Sequence, residues 1–260
     1  MTPELYAQFT EELQRRLEAD PRVVGLVALG SMAARDYLPD RWSDHDFFVI
    51  VHPGEQEPFR TDTSWLPSSE RIVLHLRETE HGLKVLYGDG HLLEFAVFDL
   101  EEIHLAQINR YRVLVDKDDV TRHLEQIHAA TLDQTRQSSP TDSNLMGQFL
   151  TNLLVGAGRY QRGERLSGTQ FVKSHALRHL IILLARHLPS ENKARLDNLD
   201  PFRRFEVAFP ALGAEIDNIL LHDTPFAATA LLALARRELA HHLPEFPTEA
   251  VETVLQHLEA

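Results

Sequence analysis

The chain has 260 residues, 43% hydrophobic and 25% charged, enough apolar material for one large or two small self-sufficient domains. It has no cysteine, which excludes disulfides, thiolate metal sites and cysteine nucleophiles and permits a reducing compartment, with cytoplasm the simplest location. The formal net charge of -13 argues against a nucleic-acid partner, whose phosphates demand a basic surface; it suits a cationic small molecule and is equally explained by solubility.

The first twenty residues are acidic and amphipathic, not the basic region and apolar run of a signal peptide. Thr2-Pro3-Glu4 reads as an N-cap with proline at the first helical position, and Leu5, Phe9, Leu13 and Leu17 recur every fourth residue, so a helix is predicted to end near Asp20-Pro21. Residues 23–29 form a continuous apolar run ending in Gly30-Ser31, the pattern of a buried strand turning sharply into a helix. Further strands are predicted at 46–51, 71–77, 83–87, 92–98 and 112–115, with Gly88-Asp89-Gly90 closing a hairpin. A helix over 120–134 completes an α/β half. Residues 136–143 are polar and contain a proline, the composition of a linker. Beyond them, apolar residues at three- and four-residue spacing predict helices at 145–160, 168–187, 201–209, 212–221, 225–242 and 248–258, separated by prolines. The expected organisation is an α/β (α+β) domain with a mixed sheet over 1–135, then an all-α helical bundle over 142–260. The most apolar stretch, residues 177–188, contains Arg178, His179, Arg186 and His187 and is too short to span a membrane.

The chemistry concentrates in Leu29-Gly30-Ser31, twelve residues, then Asp44-His45-Asp46 leading into the apolar run 47–51. Residues two apart in a strand project from one face with alpha carbons roughly 6.6 Å apart, so Asp44 and Asp46 would present paired carboxylates. Their repulsion is relieved by a hard dication, and magnesium favours a few carboxylates plus substrate phosphate oxygens. Gly30 lets a backbone approach phosphate closely, while Ser31 and helix-terminal amides can donate to it; Arg35, one turn on, can reach the same oxygens. Glu94 is the lone acid in the apolar run 92–98, where burial without a partner is costly. An isolated Asp-x-Asp more often marks a solvated strand entrance; Gly-Ser before it and an acid in a later buried strand reverse that preference.

With these residues the sequence resembles the nucleotidyltransferase superfamily that includes DNA polymerase beta, through Gly30, Ser31, Asp44, Asp46 and Phe47. The two-domain length and helical second half are similar to the bacterial aminoglycoside and lincosamide nucleotidyltransferases. Two shorter segments, 158–164 around Arg162-Gly163-Glu164 and 198–206, are also similar. His45 departs from the usual hydrophobe, which would tune local packing or place the strand start at Asp46. The resemblance implies a nucleotidyltransferase fold and magnesium-dependent transfer of a nucleoside monophosphate, AMP from ATP, to a hydroxyl of a small cationic acceptor, such as an aminoglycoside or lincosamide antibiotic, bound by the helical domain. In that scheme Asp44 and Asp46 hold magnesium, Glu94 is general base or third ligand, Gly30 and Ser31 cradle the triphosphate, and Arg35 and Lys173 are weaker phosphate contacts. For Lys173 a solvated surface role is at least as frequent.

Two other classes fit the sequence: nucleotidylation of a protein, and a non-catalytic nucleotide-binding, regulatory or antitoxin-like module. Retention of three mutually repelling acids disfavours the second. The oligomeric state, a homodimer included, is left open. His175 and His179 have zinc-ligand spacing, but Ala176 stands where a metalloprotease needs glutamate; a structural role is the more frequent one. Trp42 and Trp65 offer stacking surfaces, with packing the commoner use, and Glu101-Glu102 reads as an acidic helix start.

Overall fold

The computed structural model describes residues 2–33 and 39–259. The chain divides into two compact units, residues 1–136 and 137–260.

The first unit opens with α1, Pro3–Ala19, whose N-cap Thr2 hydroxyl accepts from the Leu5 amide. Its buried face is Tyr6, Leu13 and Leu17 with Phe9 partly covered, whereas Leu5 is 52% exposed. The expected stripe is thus rotated by one residue at its start, because Tyr6 can bury its ring and still find partners for its hydroxyl. Strands β1 (Val23–Leu29), β2 (His45–Val51), β3 (Ile72–Arg77), β4 (Gly82–Tyr87), β5 (Leu92–Phe98) and β6 (Tyr111–Asp116) build one mixed sheet in the order β3-β4-β5-β2-β1-β6. Among the described residues, β2 and β5 form the one parallel pair. A short helix that the periodicity did not indicate, α2 (Gln56–Thr61), follows β2, and α3 (Val120–Gln137) closes the unit.

Both sheet faces are covered, which is why β1, β2 and β5 read as continuous apolar runs. One face packs Phe47, Val49, Leu93 and Phe95 against Leu13 and Leu17 of α1 and Phe59 of α2. The other packs Val24, Val27, Ile50 and Phe98 against Val120, Leu124 and Ile127 of α3. Strand β3 lies at the sheet edge, and its residues after Ile72 are exposed on both faces.

The second unit is helical: α4 (Asp142–Gln161), α5 (Arg165–Gln170), α6 (Leu177–His187), α7 (Phe205–Ala208), α8 (Pro210–Leu221), α9 (Thr224–Leu239) and α10 (Thr248–Glu259). Side-chain caps at Thr141 and Asp223 start α4 and α9. A π-helical turn, Phe171–Ala176, joins α5 to α6, so the predicted helix 168–187 is continuous in direction but not in hydrogen-bond pattern. Three expectations are corrected. The helix predicted over 201–209 shrinks to α7, because Asp197 and Asp200 carboxylates take the amides of Leu199, Asp200 and Phe202 in local turns and Arg204 adopts a left-handed φ of 64°. The helix predicted to 242 stops at Leu239, so His241 and His242 lie beyond it. The linker expected over 136–143 is shorter, since α3 runs to Gln137 and α4 starts at Asp142. Among the described residues no helix is long and apolar enough to cross a membrane.

Candidate active site

Asp44, Asp46 and Glu94 each offer a carboxylate oxygen, and these oxygens all lie within 4.8 Å of one another. The parallel register of β2 and β5 sets Asp46 directly beside Glu94. Asp44 stands one residue before β2 rather than inside it, since the strand starts at His45. The backbone turn of Gly30–Ala33 closes over the same place. Gly30 has φ +49°, and a Cβ there would stand 2.7 Å from Asp46 Oδ2. Only glycine allows both that left-handed conformation and that contact.

Glu94 is less buried than its neighbours suggested. Its side chain is 38% exposed, because Leu93, Phe95 and Val97 point to the core on the α1 side while Glu94 points to the open end of the opposite face. Its cross-strand partner is Lys84 on β4, whose ammonium lies 3.2 Å from Glu94 Oε1 and 3.0 Å from Glu78 Oε1. These two carboxylates, Glu78 first and Glu94 second, raise the Lys84 pKa above its ordinary value, so the ammonium stays charged through the neutral range.

Ser31 is buried, and its hydroxyl faces inward. It lies 3.3 Å from the Asp44 carbonyl oxygen and 3.3 Å from the Tyr6 hydroxyl, and Tyr6 donates to the same carbonyl at 2.8 Å. In this arrangement the Ser31 side chain braces Asp44. Arg35 lies outside the described residues. Lys173, in the second unit, donates to the backbone carbonyls of Leu220 and His222 at the end of α8, which satisfies orphan acceptors and complements the helix dipole.

Behind the acids, His45 occupies the position of the expected hydrophobe and is fully buried. Tyr6 stacks on its ring at 3.7 Å between centroids. His45 Nε2 lies 3.0 Å from the Thr10 hydroxyl, and Nδ1 lies 2.8 Å from His91 Nε2. Thr10 donates its proton to the Tyr6 carbonyl, so its oxygen accepts from His45 Nε2–H, leaving Nδ1 to accept from His91. Burial, aided by His91, pushes the His45 pKa down to about 3, and burial takes His91 to about 4. Both rings are neutral at physiological pH, and a buried neutral imidazole chain replaces an aliphatic contact without an unpaired charge. Of these supports, Tyr6, Thr10, His91 and Lys84 carry no local sequence signal, because the first three act through partners 25 to 46 residues away and Lys84 through a partner on the neighbouring strand.

A family model described as streptomycin adenylyltransferase matches residues 7–151, more than half of the chain. No protein of curated function matches it. Among solved structures, an aminoglycoside 6-adenyltransferase from Bacillus subtilis is 16% identical with a TM-score of 0.36, the alignment covering 96% of each chain. The CD-NTase CdnG of Bradyrhizobium diazoefficiens, in complex with GTP, is 16% identical with a TM-score of 0.33, covering 100% of this chain and 94% of that one.

Proposed function

The chain belongs to the streptomycin adenylyltransferase family and is a nucleotidyltransferase; from that membership and the acidic triad we infer that it transfers AMP from magnesium-bound ATP to a hydroxyl of a small cationic acceptor of the aminoglycoside kind. The observation that carries this reading is the convergence of Asp44, Asp46 and Glu94 oxygens within 4.8 Å. Their chemistry fits magnesium: the donors are hard carboxylate oxygens, fewer than a full octahedron, which leaves positions for triphosphate oxygens. Gly30 adds a second fit, since any side chain there would fill the space against Asp46.

Magnesium would supply charge neutralisation at the phosphates. The chain's own residues do the rest. Asp44 and Asp46 would hold the ion, and the Asp44 carbonyl is braced by Tyr6 and Ser31. The backbone at Gly30 and Ser31 approaches the triphosphate. Glu94, at the open end of the sheet face, takes the proton as the acceptor oxygen forms its bond to the α-phosphorus and the bond to pyrophosphate breaks. Binding the acceptor is assigned to the helical unit, since the acidic triad and the Gly30 turn that would serve the nucleotide both belong to the first. The acidic balance of -13 supports a cationic acceptor by raising its local concentration.

The test is direct: incubate the protein with magnesium, each nucleoside triphosphate in turn and a panel of streptomycin-like, other aminoglycoside and lincosamide compounds, and follow acceptor mass. An AMP increment on an aminoglycoside is the expected result. No increment with any nucleotide and acceptor, from protein that binds metal and nucleotide, would remove the assignment.

A further inference from the structure

Lys84 brings an ammonium to Glu94, one of the three carboxylates of the triad. Cross-strand register fixes its backbone opposite Glu94. Its side chain spans two acids at nearly equal distance, Glu94 Oε1 at 3.2 Å and Glu78 Oε1 at 3.0 Å. Glu78 follows the last residue of β3, and the neighbouring Arg77 is committed elsewhere, to the Glu57 carboxylate and the Glu80 carbonyl. Lys84 therefore has two berths, one inside the proposed metal site and one outside it.

The two berths are not equivalent when a dication is added. In the metal-free protein an ammonium beside Glu94 relieves the mutual repulsion of Asp44, Asp46 and Glu94. Once a divalent cation lies among the three carboxylates, the same ammonium faces a like charge, and its flexible four-carbon stem lets it leave. Glu78 is already within hydrogen-bonding distance, so leaving costs no unpaired charge.

We propose that Lys84 is a resident counter-cation of the triad, neutralising Glu94 until a divalent ion binds and then withdrawing onto Glu78. Lys84 is thus a positioning residue that tunes how readily the metal enters, and this role rests on the metal reading of the triad. It makes the metal-free site less repulsive and sets Lys84 and the ion in competition for Glu94.

The experiment titrates Mn2+, alone and then with ATP present, into the full-length wild type, Lys84→Met, Glu78→Gln and the double variant, with melting curves to confirm folding; Lys84→Gln substitutes if the methionine variant fails to fold. Removing the competitor should tighten Mn2+ binding by about two- to fivefold, the factor expected for one exposed ion pair. Glu78→Gln should weaken it by a similar factor, because Lys84 loses its outer berth. In the Lys84→Met background, Glu78→Gln should have no further effect. Unchanged or weaker Mn2+ binding by Lys84→Met overturns the proposal; if the weakening appears only in ATP affinity, Lys84 is a phosphate contact instead. An equal effect of Glu78→Gln in both backgrounds also overturns it. Asp46→Asn separates the two levels: if wild-type Mn2+ binding does not depend on Asp46, the metal reading itself fails and the Lys84 role falls with it, whereas Asp46-dependent binding that ignores Lys84 removes only the counter-cation.

Discussion

Gly30→Ala perturbs the site through one carbon atom. Two costs follow from the geometry. The φ of +49° places alanine in the left-handed region, which costs about 1–2 kcal/mol for a residue with a Cβ. The new atom would also stand 2.7 Å from Asp46 Oδ2, about 0.7 Å inside the 3.4 Å limit of ordinary contact. Because that oxygen is the end of a rotatable side chain, the carboxylate gives way before the backbone does. The steric term therefore appears less as lost stability than as a displaced ligand, out of line with Asp44 and Glu94. Melting temperature should fall by about 2–8 °C from the backbone term alone, and metal affinity by about 10- to 100-fold, the range for disturbing a group that holds a metal ligand in place. Gly54→Ala is the matched comparison, since Gly54 has φ +92° with nothing within 4 Å of its Cβ position; it should lose stability and keep metal affinity. Thermal melts and Mn2+ calorimetry on both variants give the answer. If Gly30→Ala melts lower yet binds metal like wild type, the contact with Asp46 does not constrain the site and the argument from the glycine is wrong.

Glu94→Gln keeps shape and hydrogen bonding while removing basicity, so turnover should fall by about 10²- to 10⁴-fold with nucleotide affinity nearly intact; a parallel loss of metal and nucleotide binding would make Glu94 chiefly a ligand. Acid should destabilise the first unit through His45 and His91, whose folded pKa values of about 3 and about 4 lie below the ordinary 6.5. The unfolded chain binds more protons in that window, so stability is complete above pH 6.5 and is lost as pH falls toward 4. Melting temperature measured from pH 7 to 4 should drop more steeply in wild type than in His45→Gln, and equal slopes would discount the buried pair. Residues 2–136 expressed alone should bind Mn2+ and ATP but transfer nothing to an acceptor; retained transfer would exclude the helical unit from acceptor binding.

How much of this was legible in the sequence depends on where each signal resides. Strands β1, β2 and β5 show themselves because both sheet faces are covered, so Val23–Leu29 and Leu92–Phe98 are apolar along their length except where the chain needs Gly25 or Glu94. Residues 201–204 fail as a helix for a reason periodicity does not carry: Asp197 and Asp200 capture nearby amides, and Arg204 turns left-handed before α7 begins. The π-helical turn at Phe171–Ala176 is similarly silent, since its first and last residues keep helical φ and ψ and the change is in hydrogen-bond pattern.

The candidate site divides along the same line. Gly30, Asp44 and Asp46 are visible because their chemistry is written in short spacing, and Glu94 because an acid stands out in an apolar strand. What brings Glu94 to Asp46 is the parallel pairing of β5 with β2, a choice between strands whose paired residues are 48 positions apart and that no local pattern encodes. The groups that tune the acids come from that pairing in turn: Lys84 through the antiparallel partner of β5, His91 through the residue before β5, and Tyr6 through the packing of α1 over β2. His45 shows the limit most clearly. As a sequence letter it is a polar interruption between two aspartates, which suggests a strand that begins one residue later. In the fold it is the most enclosed residue of the site, neutral, stacked on Tyr6 and bonded through both ring nitrogens. A leucine there would keep the packing and lose both hydrogen bonds, leaving His91 Nε2–H and the Thr10 oxygen without their partner, at a cost of about 1–3 kcal/mol for each buried group left unpaired. The histidine is therefore specified by its two partners and not by the strand it occupies, and only the assembled sheet and helix reveal them.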